Sequence, residues 1–296
     1  MIGYLLQFIA MASFGFSNCL WSKPLKRVPI LLLIAIRAGI TSLIFFIVFL
    51  LQSFFRFDFM SEFYKPLSSL NFHSIIISIG ICAISYFGLF FFTKAIKTGS
   101  ISLSIPILCL GTMISVLIGI FFYKETFSVA KITAALFFIL GLWCMEKLNK
   151  QMWKLNFSKA IAFSLLSMLF WSACSLYPIG IKAIGTINFS FILEVTVCAM
   201  SFLGYIIQNK SEKLAIKKIL KSDFNSIFQL SLFGFCGVFF SNLAFLYLPV
   251  SILGLLAIIQ PVVSMCFAAY LLKERLLQIQ YVGVVLILIG IFFSGH

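Results

Sequence analysis

The chain has 296 residues, 62% of them hydrophobic and only 10% charged, with 22 Lys+Arg against 8 Asp+Glu. A soluble domain needs roughly 25% charged residues to cover its surface, so lipid has to be the solvent for most of this exterior. The net charge of +14 does not indicate nucleic acid, because most basic residues fall in short loops between apolar runs, where they meet anionic headgroups and set topology.

The apolar runs last about 18–25 residues, the length a helix needs to cross ~30 Å of hydrocarbon. Backbone groups left unpaired in lipid are too costly, which leaves helices or a closed barrel. Runs without strict alternation exclude the barrel. The first span, 2–22, starts MIGYLLQFIAMASFGFSNCLW without the basic region of a cleaved signal, and is read as a retained helix. Span two, 29–51, carries Arg37, and the aromatic loop 52–71 balances Arg56 and Lys65 against Asp58 and Glu62. Span three, 72–93, ends at a short turn marked by Lys94, Lys97, Thr98 and Gly99. Span four, 100–123, repeats small residues at Gly111, Ser115 and Gly119. Small residues let backbones approach, and these, like Ser264 and Ala268 in span nine, are expected to pack helices within one half. Span five covers 128–146, and 147–156 (KLNKQMWKLN) is the hinge.

Spans six and seven lie at 157–180 and 187–207. The basic segment 208–224 predicts a short interfacial helix with Leu214, Ile216, Ile219 and Leu220 toward lipid. Spans eight, nine and ten follow at 225–247, 250–272 and 278–294, with Leu248 and Pro249 as the turn between the first two of these. Pro106, Pro178 and Pro261 fall inside spans, where the missing ladder bond predicts kinks near the midplane. The eight cysteines (19, 82, 109, 144, 174, 198, 236 and 266) each occupy a different apolar run and form no CxxC. With only His73 and His296 beside them, they read as small buried apolar residues, and neither a metal nor another cofactor is expected.

Slid upon itself, the chain matches at an offset of 149: Ala95 meets Ala244, Ser102 meets Ser251, Lys124-Glu125 meets Lys273-Glu274 and Gly141 meets Gly290. At an offset of 156, Phe14 meets Phe170, Leu20 meets Leu176, Trp21 meets Tyr177 and Lys26 meets Lys182. The change of offset needs only a longer 52–71 loop. Five spans per half is an odd number, so the second copy enters the membrane from the opposite face. The expected fold is an all-α integral membrane protein, ten transmembrane helices as two inverted five-helix repeats. Residues 1–147 form the first repeat, 148–156 a linker and 157–296 the second.

The chain resembles the EamA-like branch of the drug/metabolite transporter superfamily. The likeness rests on Pro261 followed by Lys273-Glu274-Arg275-Leu276, Gly283 and Gly290, and on the echo Tyr123-Lys124-Glu125-Thr126 with Gly141. Phe170-Trp171-Ser172 and Arg37 add to it. The first half departs from the pattern, with Thr112 where Pro261 predicts proline and Pro106 six residues earlier. The resemblance implies a ten-helix carrier of amino acids, other metabolites or drugs.

Intramembrane charge is expensive, and only Arg37 and Glu194 lie well inside predicted spans. They are near-equivalents, 157 residues apart. Each sits seven or eight residues into its helix, about 10–12 Å deep at 1.5 Å per residue, and they approach the midplane from opposite faces. A direct bridge then needs helix tilt and the full reach of arginine. In a functional reading Arg37 binds a carboxylate and Glu194 an amine or a coupling proton; in a structural one they are anchors or gates. Asn18, Trp21, Tyr86, Trp171, Tyr177, Asn242 and Gln260 are the candidate lining of a substrate cavity. Glu125 and Glu274, at span ends beside lysines, read as helix caps.

No nucleophile–base set, GxSxG, HExxH or intramembrane acid pair supports an enzyme, and no Walker motif supports an ATP-driven pump. The expectation is a secondary-active or facilitative carrier of a small metabolite, an amino acid or related zwitterion, working by alternating access in a bacterial inner membrane. An exchanger of organic anions or phosphorylated metabolites is the alternative, in which Lys94, Lys97 and Lys182 contribute from a cavity mouth. A channel or membrane assembly factor is the non-carrier alternative. Partners are the substrate, the bilayer and, as the candidate coupling ion, protons; the chain is a monomer or homodimer. Loops after odd-numbered spans hold sixteen Lys/Arg and those after even-numbered spans five. Charge therefore places both termini outside the cytoplasm, whereas the resemblance implies both inside.

Overall fold

The computed structural model describes residues 1–21, 23–55, 63–99, 104, 107–108, 111–126, 128–146, 157–208, 216–272 and 278–294, and no strand occurs among them. Among the described residues, six helical stretches are long and apolar enough to cross a membrane, and four shorter apolar ones occupy the remaining predicted positions. The first half comprises α1 (Ile2–Trp21), α2 (Ile30–Phe55), α3 (Phe72–Thr98), α4 (Gly111–Phe121) and α5 (Val129–Glu146). In the second, α6 (Phe157–Trp171), a 3-10 turn (Ser172–Leu176) and α7 (Tyr177–Ile184) make span six. Then come α8 (Thr186–Gln208), α9 (Ile216–Ala244), α10 (Val250–Leu256), α11 (Ile259–Leu272) and α12 (Gln278–Ser294).

The ends follow local chemistry. Asn71 accepts a bond from the His73 N–H at 3.0 Å to start α3. That helix runs on past Lys94 and Lys97 to Gly99, so the predicted turn begins five residues later. Gly185 closes α7 with φ +86°, a left-handed conformation that a side chain would strain. Pro178 sits in the first turn of α7, where its missing N–H costs nothing.

Span nine breaks between α10 and α11 at Ala257 and Ile258, just before Gln260 and Pro261. The proline therefore opens the second segment and does not kink a continuous helix. The separate interfacial helix expected at 208–224 is not what forms: from Ile216 onward the backbone is one helix with span eight. Leu214, Pro106, Cys109, the 147–156 hinge and Lys273-Glu274-Arg275-Leu276 lie outside the described residues.

The helices pack as the repeat requires. Span one packs on eight and nine, and span six correspondingly on three and four; spans two and seven, four and nine, and five and ten each pack on their own counterpart. The symmetry reaches individual atoms. A β-carbon on Gly141 would lie 2.7 Å from Ile287 Cγ1 and 2.8 Å from Gly283 O. On Gly290, its equivalent at offset 149, one would lie 2.5 Å from Phe138 Cε1 and 3.1 Å from Ala134 O. Residues 138 and 287, and 134 and 283, are related by that same offset. Both glycines thus let spans five and ten touch backbone to backbone.

The other small residues also pack between halves, contrary to the expectation that they pack within one. Gly119 faces Ser251, Ser115 faces Gly254 and Gly111 faces Met168. Ser264 of span nine donates to Gly15 O of span one at 3.1 Å. The physical reason is the inversion, which interleaves the repeats and makes inter-half contact the main buried surface. Leu5, Phe8, Leu43, Phe54, Leu203 and Ile207 stay exposed on the outer faces, as lipid-facing residues must.

Candidate binding site between the two halves

A cavity of about 240 Å³ lies between the repeats and is walled by spans one to four of the first half and six to nine of the second. Of the nine residues expected to form a site, eight line it: Asn18, Trp21, Arg37, Trp171, Tyr177, Glu194, Asn242 and Gln260. Tyr86 does not. It is buried, its ring stacked at 6.1 Å on Phe90 and edge-on to Phe87 of the same helix. Tyr86 occupies a face of α3 turned away from the cavity, whereas Ser85 and Leu89 of the same helix line it.

Arg37 and Glu194 meet directly. Arg37 Nη1 donates to Glu194 Oε1 at 2.9 Å and to Oε2 at 2.8 Å, with both residues buried. The direct bridge forms where spans two and seven pack against each other. Near-equivalent residues on paired counterpart helices face each other across the two-fold, so depth from opposite faces converges near one level. Nor is the contact a two-nitrogen fork, since one nitrogen serves both oxygens.

The rest of the guanidinium lies on Gly234 of α9. A β-carbon there would come within 2.8 Å of Nε and 2.9 Å of Cζ, and into contact with Nη2. Below the pair, the Thr41 hydroxyl reaches Arg37 O at 3.0 Å and Ser231 O at 3.2 Å, tying spans two and eight.

The remaining polar lining is neutral. Asn18 donates to Ser264 Oγ at 3.3 Å and Asn242 to Ser190 Oγ at 2.9 Å, bonds that orient both amides. Gln7 Nε2 donates to Leu253 O at 3.3 Å, while its buried Oε1 has no protein partner. Ser175 Oγ donates to Ser115 Oγ at 2.8 Å, bringing the 3-10 turn of span six onto span four. Trp171 packs its ring 5.2 Å from Phe92, and Tyr177 sits edge-on to Phe189 at 5.0 Å. Both are therefore cavity walls and not members of an interfacial belt.

Gln7, Ser85, Thr112, Ser115 and Ser175 line the site as well, and the sequence reading did not select them. Gln7 carried a usable signal, a polar amide six residues into an apolar run. The serines and threonine carried none, because such residues also satisfy themselves within a helix, as Ser85 does on Ile81 O. Ser13 is likewise self-satisfied on Ile9 O and is not in the lining.

Glu125 caps a helix, as expected, but the helix belongs to the other half. Its Oε1 accepts from Val250 N at 2.6 Å, and its Oε2 accepts from Ser251 N at 3.1 Å and in a short bond from the Ser251 hydroxyl. Lys131 Nζ stands 3.7 Å away. Glu125 thereby fastens span four to the first turn of α10 at the face where the chain starts. Glu274 lies outside the described residues. Among the described residues, no cluster of His, Cys, Asp and Glu could hold a metal.

Comparison with known proteins gives three findings. The model of the EamA-like transporter family matches residues 1–146 and again 158–295. A solved structure described only as "Crystal structure of protein" is similar with a TM-score of 0.75 at 16% identity, covering 99% of this chain and 96% of that one, which is a likeness of fold alone. No curated protein matches.

Proposed function

Because the chain belongs to the EamA-like transporter family, spanning the membrane many times in two repeated halves, we propose that it is an alternating-access carrier of a small zwitterionic metabolite, of the amino-acid class. The observation that carries this reading is the buried Arg37–Glu194 pair in the wall of a cavity shared by both repeats. A zwitterion exchanges the internal ion pair for two external ones, carboxylate on Arg37 and ammonium on Glu194, without leaving a charge uncompensated. A dianionic ligand would find one cation there, already neutralised by its own acid. Lys94 and Lys97 do not line this cavity, and neither does Lys182. Glu194 is the acid available for a coupling proton. The repeats rock about the site, each exposing it to one side in turn.

Counter-flow of amino acids in vesicles reconstituted with the purified protein tests the assignment. Glu194→Gln should lower uptake of an amine-bearing substrate by about tenfold, a figure typical of one lost charge-assisted contact, while the protein still folds. Arg37→Lys should also fall short of wild type, since an ammonium cannot lie flat on Gly234 as the guanidinium does. Unaltered affinity and transport in both variants would exclude the zwitterion site.

We also propose a bacterial inner membrane as its location and, from the basic bias of the loops after odd-numbered spans, an orientation with both termini outside the cytoplasm. Cysteines introduced at Ser61 and Ser211 report this. In intact cells an impermeant maleimide should label position 61 and spare 211, and the reverse pattern would invert the orientation.

A further inference from the structure

A second cavity, of about 370 Å³, opens at the face away from the chain start, between the beginning of α2 and the ends of α3 and α8. It shares no lining residue with the central one. Lys26, Arg27, Lys94 and Lys97 surround it, with Tyr205 and Gln208, and among the described residues no carboxylate is in its lining. Arg27 has an acid nearby, Asp223 Oδ1 at 3.5 Å. Lys94 is held at the wall by its contact with the Phe90 ring, 4.4 Å from the centroid. Among the described residues, four cationic side chains therefore converge on the cavity, with Asp223 beside one of them.

The counterpart of this cavity in the other repeat is filled by the chain itself. The equivalent position at the opposite face lies between the beginning of α8, the end of α2 and the end of α9, with Lys182 as the counterpart of Lys26 and Phe49 as that of Tyr205. There the chain plugs itself. Lys65 Nζ donates to Lys182 O at 2.8 Å and to Ala183 O at 3.1 Å, and Asn188 Nδ2 donates to Lys65 O at 2.6 Å. Tyr64 packs edge-on to Phe49 at 5.5 Å and bonds Ser53 at 2.7 Å. One copy of the site is thus filled by a short segment bearing a cation. The other is a cavity lined by cations.

We propose that the second cavity binds a phosphate group, either that of an anionic phospholipid headgroup or that of a free organic phosphate. Lysine and arginine converging between helix ends at a membrane surface supply charge-assisted bonds to phosphate oxygens. Tyr205 and Gln208 can bond the ester or glycerol part.

The full-length protein, delipidated in a nonionic detergent, is titrated with phosphatidylglycerol or phosphatidylcholine and read by native mass spectrometry. Phosphatidylglycerol should bind on the order of tenfold more tightly than phosphatidylcholine, and the double variant K94Q/K97Q should lose that preference. K23Q/K159Q removes two exposed charges from the same face outside the cavity and should keep it. Glycerol 3-phosphate at millimolar concentration separates the sources: displacement of the lipid marks a soluble phosphate as a competent ligand, and no displacement marks the lipid headgroup. Equal binding of the two lipids by the wild type would overturn the proposal. So would an equal loss in K23Q/K159Q, which would reduce the effect to diffuse surface charge.

Discussion

Glu194→Ala should destabilise the protein by about 3–5 kcal/mol, the cost of leaving a buried arginine without its counter-charge. Arg37 is buried with its other nitrogens against Gly234, and no second carboxylate is in the described lining of the cavity it borders. Glu194→Gln should cost much less, because the amide oxygen still accepts from Nη1. The double variant Arg37→Met with Glu194→Leu should recover most of the lost stability, as buried ion pairs exchanged for apolar residues of similar volume often do. It should not recover transport.

The exchanged pair, Arg37→Glu with Glu194→Arg, should recover only part. The two-fold places Ser85 opposite position 194 where Gly234 stands opposite position 37, so an arginine at 194 would meet a side chain where the native one meets none. Thermal unfolding of the purified variants in one detergent measures all four. A Glu194→Ala variant within about 1 kcal/mol of wild type would show that the pair is open to water and not sealed.

Glu125→Ala should carry the next largest effect, about 2–3 kcal/mol, through loss of charge-assisted bonds to two backbone N–H groups and a hydroxyl. The variant removes the fastening between span four and α10 and leaves Lys131 without its nearby acid. Its consequence should extend to access. With that fastening released, the cavity opens more often at the face where the chain starts. Ser115, which lines the cavity directly below, reports this. In a background with the native cysteines replaced, Ser115→Cys should be labelled several times faster by an impermeant maleimide when Glu125 is alanine, a population shift of about 1 kcal/mol. Equal labelling rates together with unchanged stability would reduce Glu125 to an ordinary surface residue.

Much of the architecture was legible in the residues. The apolar runs dictate helices because lipid offers no partners to backbone groups, and the offsets of 149 and 156 dictate an inverted pair because five is odd. The offset of 149 relates Gly141 to Gly290, and Arg37 and Glu194 stand one residue off the offset of 156; all four prove to sit on contacts between counterpart spans. The identity of the two intramembrane charges was visible for an equally physical reason: no other Lys, Arg, Asp or Glu lies well inside a predicted span. What the linear pattern could not carry is rotation about each helix axis. Tyr86 and Ser85 are neighbours in sequence, yet only the serine lines the cavity, because about 100° of helical rotation separates them and hydrophobicity all round a lipid-buried helix hides which side is inner.

Partners across the halves were equally out of reach. Sequence marked Gly111, Ser115 and Gly119 as a close-packing stripe but could not say against what, and it marked Glu125 as a cap without showing that the capped helix lies 125 residues away. The direct Arg37–Glu194 bond belongs to the same class. Composition and spacing determined that this chain is a ten-span inverted repeat with one charge of each sign well inside its predicted spans. Tertiary structure alone decided that the two charges neutralise each other, because only the interleaving of the repeats sets spans two and seven side by side.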